Sequence, residues 1–433
     1  MKKLLFALSG LLFSLAAAAQ DFKITHGPYL CDMTRDGVTV VWTTSKPALS
    51  WVEVAPDDGR SFYAQEHTRY YQTVAGRKLA DRTLHAVRIK GLKPGTDYCY
   101  RIFSQEVTAW PQRGKASYGR VAASDVFRRK PYPFRTFPDS GADCSFIVFN
   151  DIHGRADYMA ELCKKIDFSE LGFVVFNGDM SSSVESEEQL FADYVDTSAA
   201  LFASGTPILF NRGNHETRGV WSDRLIDCFP TRSGEFYGIY RYGDVCLLVL
   251  DCGEDKPDSD VEYYGLADYD AYRAKECEWL KRAVQSEEFL GIGADRPVAC
   301  ASDDGHLARK PPSQRALHAG AERGGHRPDA LRPRTPLFVP SRRGAGRTVP
   351  DRDQRQQELR SLRRFGQSDP GADHRSQGQG RPHARISVEH SGGRSRIVRI
   401  NVPKRKRAGD VPRPFVVGSV RYLVMRKLLS QNC

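Results

Sequence analysis

The 433-residue chain contains no Cys-x-x-Cys pair, so neither a zinc knuckle nor a dithiol redox motif is written into it. Its ten cysteines are scattered as Cys31, Cys99, Cys144, Cys163, Cys228, Cys246, Cys252, Cys277, Cys300 and Cys433. Such spacing suits buried small apolar residues better than a disulfide framework. No internal repeat is visible, which excludes a solenoid or a propeller. The last third is short of aromatic residues and of lysine. Beyond the codon for Ala301 the aromatics are Phe338, Phe365, Phe415 and Tyr422, and only Lys310, Lys404, Lys406 and Lys427 are lysines. A segment of this composition has little with which to build a core.

What is there divides unevenly by charge. Residues 295–433 hold 30 Lys+Arg against 12 Asp+Glu, and the rest of the chain 34 against 41. A basic arm of that kind ordinarily points to nucleic acid or an anionic membrane. The chain opens "MKKLLFALSGLLFSLAAAAQDF", two lysines, an apolar run and small residues at Ala17 to Ala19, the order of a cleaved export signal over residues 1–19. The alternative is an uncleaved anchor helix, against which the run is short of the roughly 20 residues that span a bilayer. Export predicts a secreted or periplasmic protein with no membrane span after cleavage.

From residue 22 to 137 the pattern is all β. "GVTVVWTTS" and "SWVEVAP" alternate apolar with polar or small residues, and "HAVRIKGLKPGTDYCYRIFS" is two alternating runs joined by a Pro-Gly turn. This predicts an antiparallel sandwich with Trp42 and Tyr100 as core aromatics. After the Pro-rich bridge "RRKPYPFRTFPDSGAD" the period changes. Over 143–300 the buried runs "CSFIVFN", "GFVVFNGDM" and "TPILFN" alternate with the helical stretches "ADYMAELCKKI" and "VESEEQLFADYVDTSAALFA". The second helix is expected to carry Glu185, Glu187 and Glu188 in its first turn, where the helix dipole favours them. "FYGIYRYGDVCLLVLDCGE" reads as a hairpin entering a further buried strand and "YDAYRAKECEWLKRAVQ" as an amphipathic helix. Strands separated by helices imply a mainly parallel sheet.

Three strand ends carry polar groups: Asp151 and His153, then Gly178 and Asp179, then Gly213, Asn214, His215 and Glu216. The carboxyl ends of strands line the ligand crevice of an open α/β sheet, so these groups can converge. Asp151 and His153 are two apart, which in extended backbone sends both side chains to one face. Carboxylate, imidazole and amide oxygen together suit Zn, Mn or Fe better than Mg or Ca.

"DIHG", "NGDM" and "RGNHE" resemble the first three signature blocks of the calcineurin-like metallophosphoesterases. "GPYL", "TVVWTT" and "GLKPGTDYCYRI" are similar to the fibronectin-III-like domain that precedes the catalytic domain in purple-acid-phosphatase-like proteins. The resemblance covers most of residues 24–300. It implies an N-terminal all-β sandwich followed by an α/β metallophosphoesterase domain. It implies two divalent or trivalent metal ions, with Asp151 and His153 on one, Asp179 bridging and Asn214 on the second. His215 would protonate the leaving group or steady the phosphoryl oxygens. Ser182 stands where a purple phosphatase has its tyrosine, so no iron-tyrosinate colour is expected.

The resemblance also requires a histidine after a later strand and a final GHxH. Neither is present in register, which leaves the α/β domain incomplete. "RPVACAS" begins like the expected strand and runs into "DDGHLARK". A reading-frame slip accounts for this: "GGHRPDALRPRTP" can be encoded so that dropping one base yields "AGIDLMLCGHAH". The same shift turns Ala301 to Lys310 into "HQTMATWHGN" and Val349 to Gln356 into a segment beginning "FPIVIND", and it permits a stop at Arg399-Ile400. Residues 301–433 are then an out-of-frame, disordered tail in which His306, His318 and His326 are poor substitute ligands.

Three functions follow for comparison. The first is an exported phosphoesterase acting on phosphate esters, impaired in this chain by the lost histidines. The second is a nucleic-acid-binding protein whose arm includes Lys404 to Arg407, against which the export signal and interspersed prolines argue. The third is an inactive protein that presents its sandwich to a partner.

Overall fold

The computed structural model describes residues 21–290, apart from 113, 126–129, 165, 252 and 255. It also describes the strand backbones of 298–301, 385–390, 395–401 and 416–417. The expected export signal, His306, His318, His326 and most of the basic tail lie outside the described residues.

The N-terminal region is built from β1 (Ile24–Cys31), β2 (Gly37–Thr44), β3 (Ala48–Pro56), β4 (Thr68–Tyr71), β5 (Thr73–Val74), β6 (Arg77–Lys78), β7 (Leu84–Lys90), β8 (Asp97–Gln112), β9 (Lys115–Ala123) and β10 (Tyr132–Arg135). One layer is β1-β2-β7 and the other β10-β8-β3-β4, with β9 paired to β8. Alternation along β7 buries His85, Val87 and Ile89 and leaves the residues between them partly exposed, as the period-2 pattern requires. All eight residues of β2 are buried, because it lies between β1 and β7 under the opposite layer. Trp42 and Tyr100 are fully buried core aromatics, as expected. Trp42 Nε1 donates to Ser104 Oγ at 2.9 Å, which satisfies its one polar atom. β7 pairs with β2 and β8 with β3, so the Pro94-Gly95 turn carries the chain from one layer to the other.

The α/β region follows with β11 (Cys144–Phe149), β12 (Phe173–Asn177) and β13 (Ile208–Asn211), mutually parallel. A helix at Ala156–Cys163 lies between the first two strands. A second helix begins at Glu187–Leu190 and continues through π-helical turns at Phe191–Val195 and Ala199–Ala203. Ser186 caps it by accepting the Gln189 N–H at 3.1 Å. Glu187 and Glu188 therefore occupy the first turn, and Glu185 does not: it precedes the capping serine, so the helix starts two residues beyond it. The hairpin β14 (Gly238–Tyr242) and β15 (Val245–Val249) forms as expected, and Tyr269–Ala283 is helical. β16 (Val298–Ala301) runs parallel to β15.

β1 also pairs in parallel with β13, Cys31 opposite Ile208. A single sheet thus runs β17-β18-β11-β12-β13-β1-β2-β7, and the sequence boundary near Phe137 is not a boundary in hydrogen bonding. Its far edge comes from the tail. β17 (Arg385–His390) and β18 (Ser395–Asn401) pair with each other, and β18 lies antiparallel on β11, Phe146 opposite Val398. β19 (Val416–Val417) pairs with β16. Within the tail these stretches are strand backbone. "RISVEH" and "SRIVRIN" alternate apolar with polar residues on either side of a Gly-Gly pair, which is strand chemistry despite the basic composition.

Among the described residues the cysteines are mostly core, as their scatter suggested: Cys31, Cys99, Cys144, Cys163, Cys228 and Cys246 are buried free thiols. Among the described residues no helix is long and apolar enough to cross a membrane.

Candidate metal centre

The loops after β11, β12 and β13 meet at the carboxyl edge of the sheet. Asp151 N donates to Gly178 O at 3.2 Å, His153 N to Asp179 O at 3.0 Å and Gly154 N to Met180 O at 2.8 Å. These bonds stitch the first loop to the second. Asp151, His153 and Asp179 all have left-handed backbone, with φ of 55°, 53° and 55°. The extended geometry expected for Asp151 and His153 is therefore not the one that brings them together. Two left-handed residues in one turn fold the chain back on itself, and Asp151 Oδ1 lies 3.7 Å from His153 Nε2. A non-glycine residue in this conformation costs roughly 1–2 kcal/mol, and three at one site indicate backbone held for the side chains it presents.

Gly213 allows the third loop to close on the second: a Cβ there would lie 2.4 Å from the Asp179 backbone nitrogen. His215 N donates to Asp179 Oδ1 at 3.1 Å. His153, Asp179 and His215 then present ligand atoms all within 4.8 Å of one another. His215 Nδ1 lies 2.9 Å from the Ser182 carbonyl oxygen. A carbonyl only accepts, so Nδ1 carries the proton and the neutral ring keeps its lone pair on Nε2. Ser182 Oγ is 3.5 Å from His153 Nδ1, so the residue that replaces the expected tyrosine abuts both imidazoles. Asp151 accepts from Asn150 Nδ2 at 2.6 Å through its other oxygen. Burial pushes the Asp179 carboxyl above the usual range, against the N–H of His215 and the two imidazoles. A cation would oppose that burial in the same way, and this donor set of carboxylates and imidazoles suits Zn, Mn or Fe.

Asn214 is at the same place, shared between two neighbours. With its amide nitrogen toward Asp179 Oδ1 (3.2 Å), its oxygen accepts from the Arg218 guanidinium at 2.8 Å. The structure thus brings together all five residues singled out in the sequence.

Two groups have roles that the sequence did not assign. Glu216 is fully buried and accepts the N–H groups of Asp179, Ser181 and Gly213, each at 2.9 Å. Burial lifts its carboxyl to about 7 even against those three donors. Its place inside "RGNHE" was a signal, but its role depends on which way the turn faces. Glu254 is the other: it is 3 % exposed and accepts Arg218 Nε at 2.7 Å, Thr217 Oγ1 at 3.0 Å and Tyr263 OH at 3.2 Å. Nothing in "LDCGED" marks it without the fold.

Carboxylates and imidazoles from three loops thus form a candidate metal centre at the edge of a parallel sheet. Residues 144–283 match the calcineurin-like phosphoesterase family, and residues 30–117 match the N-terminal domain of purple acid phosphatase. These matches cover about a third and about a fifth of the chain, and the phosphoesterase family that the first describes depends on a dinuclear metal centre. No curated protein matches the chain. Among solved structures it is similar to a purple acid phosphatase from yellow lupin (Lupinus luteus) seeds, at 15% identity and a TM-score of 0.39, covering 63% of this chain and 50% of that one. It thus spans about half the length of the lupin protein. A redesigned β-sandwich protein is also similar, at 13% identity and a TM-score of 0.17, covering 26% of this chain and 93% of that one.

Proposed function

We propose that this chain is an exported metal-dependent phosphoesterase that hydrolyses phosphate esters, with turnover impaired by the out-of-frame tail. The observation that carries the reading is the convergence of His153, Asp179 and His215 within 4.8 Å on loops whose backbone is left-handed at Asp151, His153 and Asp179.

Asp151, His153, Asp179 and Asn214 would hold the cations, with Asp179 shared between them. Bound cations supply Lewis-acid polarisation of the phosphoryl group and a water acidic enough to attack it near neutral pH. The chain's own contribution is placement. Glu216 fixes the Asp179 and Gly213 backbones, and the Asp179 carboxylate fixes His215 through its N–H. His215, with its Nδ1 proton held by the Ser182 carbonyl, has Nε2 left to take up a proton from water and pass it to the leaving-group oxygen. The export signal, with its Lys2-Lys3 start and Ala17 to Ala19 end, supports secretion or the periplasm. The two later histidines are absent in register, which supports weak metal binding and low turnover. β18 gives residues 395–401 a place against β11, which argues for a frame slip confined upstream of Arg385 and against a stop at Arg399-Ile400.

Hydrolysis of p-nitrophenyl phosphate and of bis-p-nitrophenyl phosphate with added Mn2+ or Zn2+ tests the reading. A version with the frame restored between Val298 and Arg385 should be at least tenfold more active than the chain as written. Equal rates, or activity that survives His153→Ala, would defeat it.

A further inference from the structure

The Asn214 amide can be turned either way by exchanging its oxygen and nitrogen, and Arg218 distinguishes between the two. With nitrogen toward Asp179 it donates to Oδ1 at 3.2 Å, and its oxygen accepts from Arg218 at 2.8 Å. Exchanged, the same positions set two oxygens 3.2 Å apart and two nitrogen donors 2.8 Å apart. The first is favourable in the absence of a cation, the second only with one between the oxygens. Arg218 is not a loose surface side chain. Its Nε and NH2 pair with both oxygens of Glu254 at 2.7 and 3.2 Å, and Glu254 is held in turn by Thr217 and Tyr263. A forked guanidinium and carboxylate pair of this kind keeps its direction.

We propose that Arg218, clamped by Glu254, is a positioning residue that competes with the metal for the Asn214 amide oxygen and so sets how readily that ligand is released to a cation. The inference rests on the phosphoesterase reading only in taking Asn214 as a metal ligand. Loading turns the amide, breaks the bond from Arg218 and sets the amide NH2 against the guanidinium, so the arginine must yield. This opposition acts in the binding equilibrium, not in the chemical step.

Calorimetric titration of the full chain with Mn2+ tests the proposal. Arg218→Met removes the donor and keeps the stem, and it should tighten Mn2+ binding about tenfold, the worth of one charge-assisted hydrogen bond. The gain should vanish when Asn214→Ala is added. Removing Arg218 alone takes the guanidinium from the buried Glu254 carboxylate and leaves it the hydroxyls of Thr217 and Tyr263, so the double variant R218M/E254Q is measured beside it and should show the same gain. Unchanged or weaker binding in both would overturn the proposal, as would a gain that persists without Asn214. Wild-type affinity unaltered by Asp179→Ala would instead overturn the metal-centre reading itself.

Discussion

Glu216 Oε2 receives the backbone N–H of Asp179 and that of Gly213, each at 2.9 Å, so one buried carboxylate ties the turn after β12 to the turn after β13. Glu216→Ala leaves those donors and the Ser181 N–H without an acceptor. The variant should lose about 2–4 kcal/mol of stability in urea unfolding and bind Mn2+ at least tenfold more weakly. Full affinity in a destabilised variant would show that the clamp serves the fold alone.

Gly213→Ala probes the same closure from the other loop. Its Cβ would meet the Asp179 backbone nitrogen and Oδ1, both at 2.4 Å, and backbone cannot swing aside as a side-chain tip can. Metal binding should be abolished in isothermal titration while far-ultraviolet circular dichroism stays near wild type. Retained affinity would mean that the two turns need not approach so closely.

His153→Asn separates strain from stability. Asparagine tolerates the left-handed φ of 53° better than histidine does. Thermal unfolding should therefore move by no more than about 1 kcal/mol in either direction, while Mn2+ affinity falls at least tenfold. A large loss of stability would show that the imidazole is held for packing.

The fold was legible where periodicity is strong and where burial follows from it. β2, β7 and the run from β11 to β13 fall where the alternating and continuous apolar patterns place them. The strand ends at Asp151, Asp179 and Asn214 could be named because polar residues there interrupt buried runs. Their backbone could not: the extended rule for Asp151 and His153 fails because the turn is left-handed, a tertiary outcome of the bonds to Gly178 and Asp179. Glu254 was invisible for a similar reason, since its partner Arg218 is 36 residues away. The strands at 385–390 and 395–401 were hidden beneath the basic composition of the tail, which outweighed a local alternation that hydrogen-bonds to β11.

Away from the centre, Glu276 gives a pH dependence. It accepts the Asp251 N–H at 2.7 Å, and burial raises its carboxyl from 4.5 to about 8. The folded protein then binds the proton more tightly than the unfolded chain. The stability this contributes is complete below the unfolded value and is lost as pH rises through the folded one. Urea unfolding should show a fall of about 1–3 kcal/mol from pH 5 to pH 8, and Glu276→Gln should flatten that slope. An unchanged slope in the variant would assign it to other groups.

On the proposed reading the loops after three parallel strands meet around cations. Crystals soaked in Mn2+ or Zn2+ and measured at the metal absorption edge test it most directly. An anomalous peak about 2.0–2.3 Å from ligand atoms of His153 and Asp179 is predicted, with the Asn214 amide oxygen turned toward it. A map with no peak there, or side chains of the three loops pointing apart around ordered water, would contradict the account.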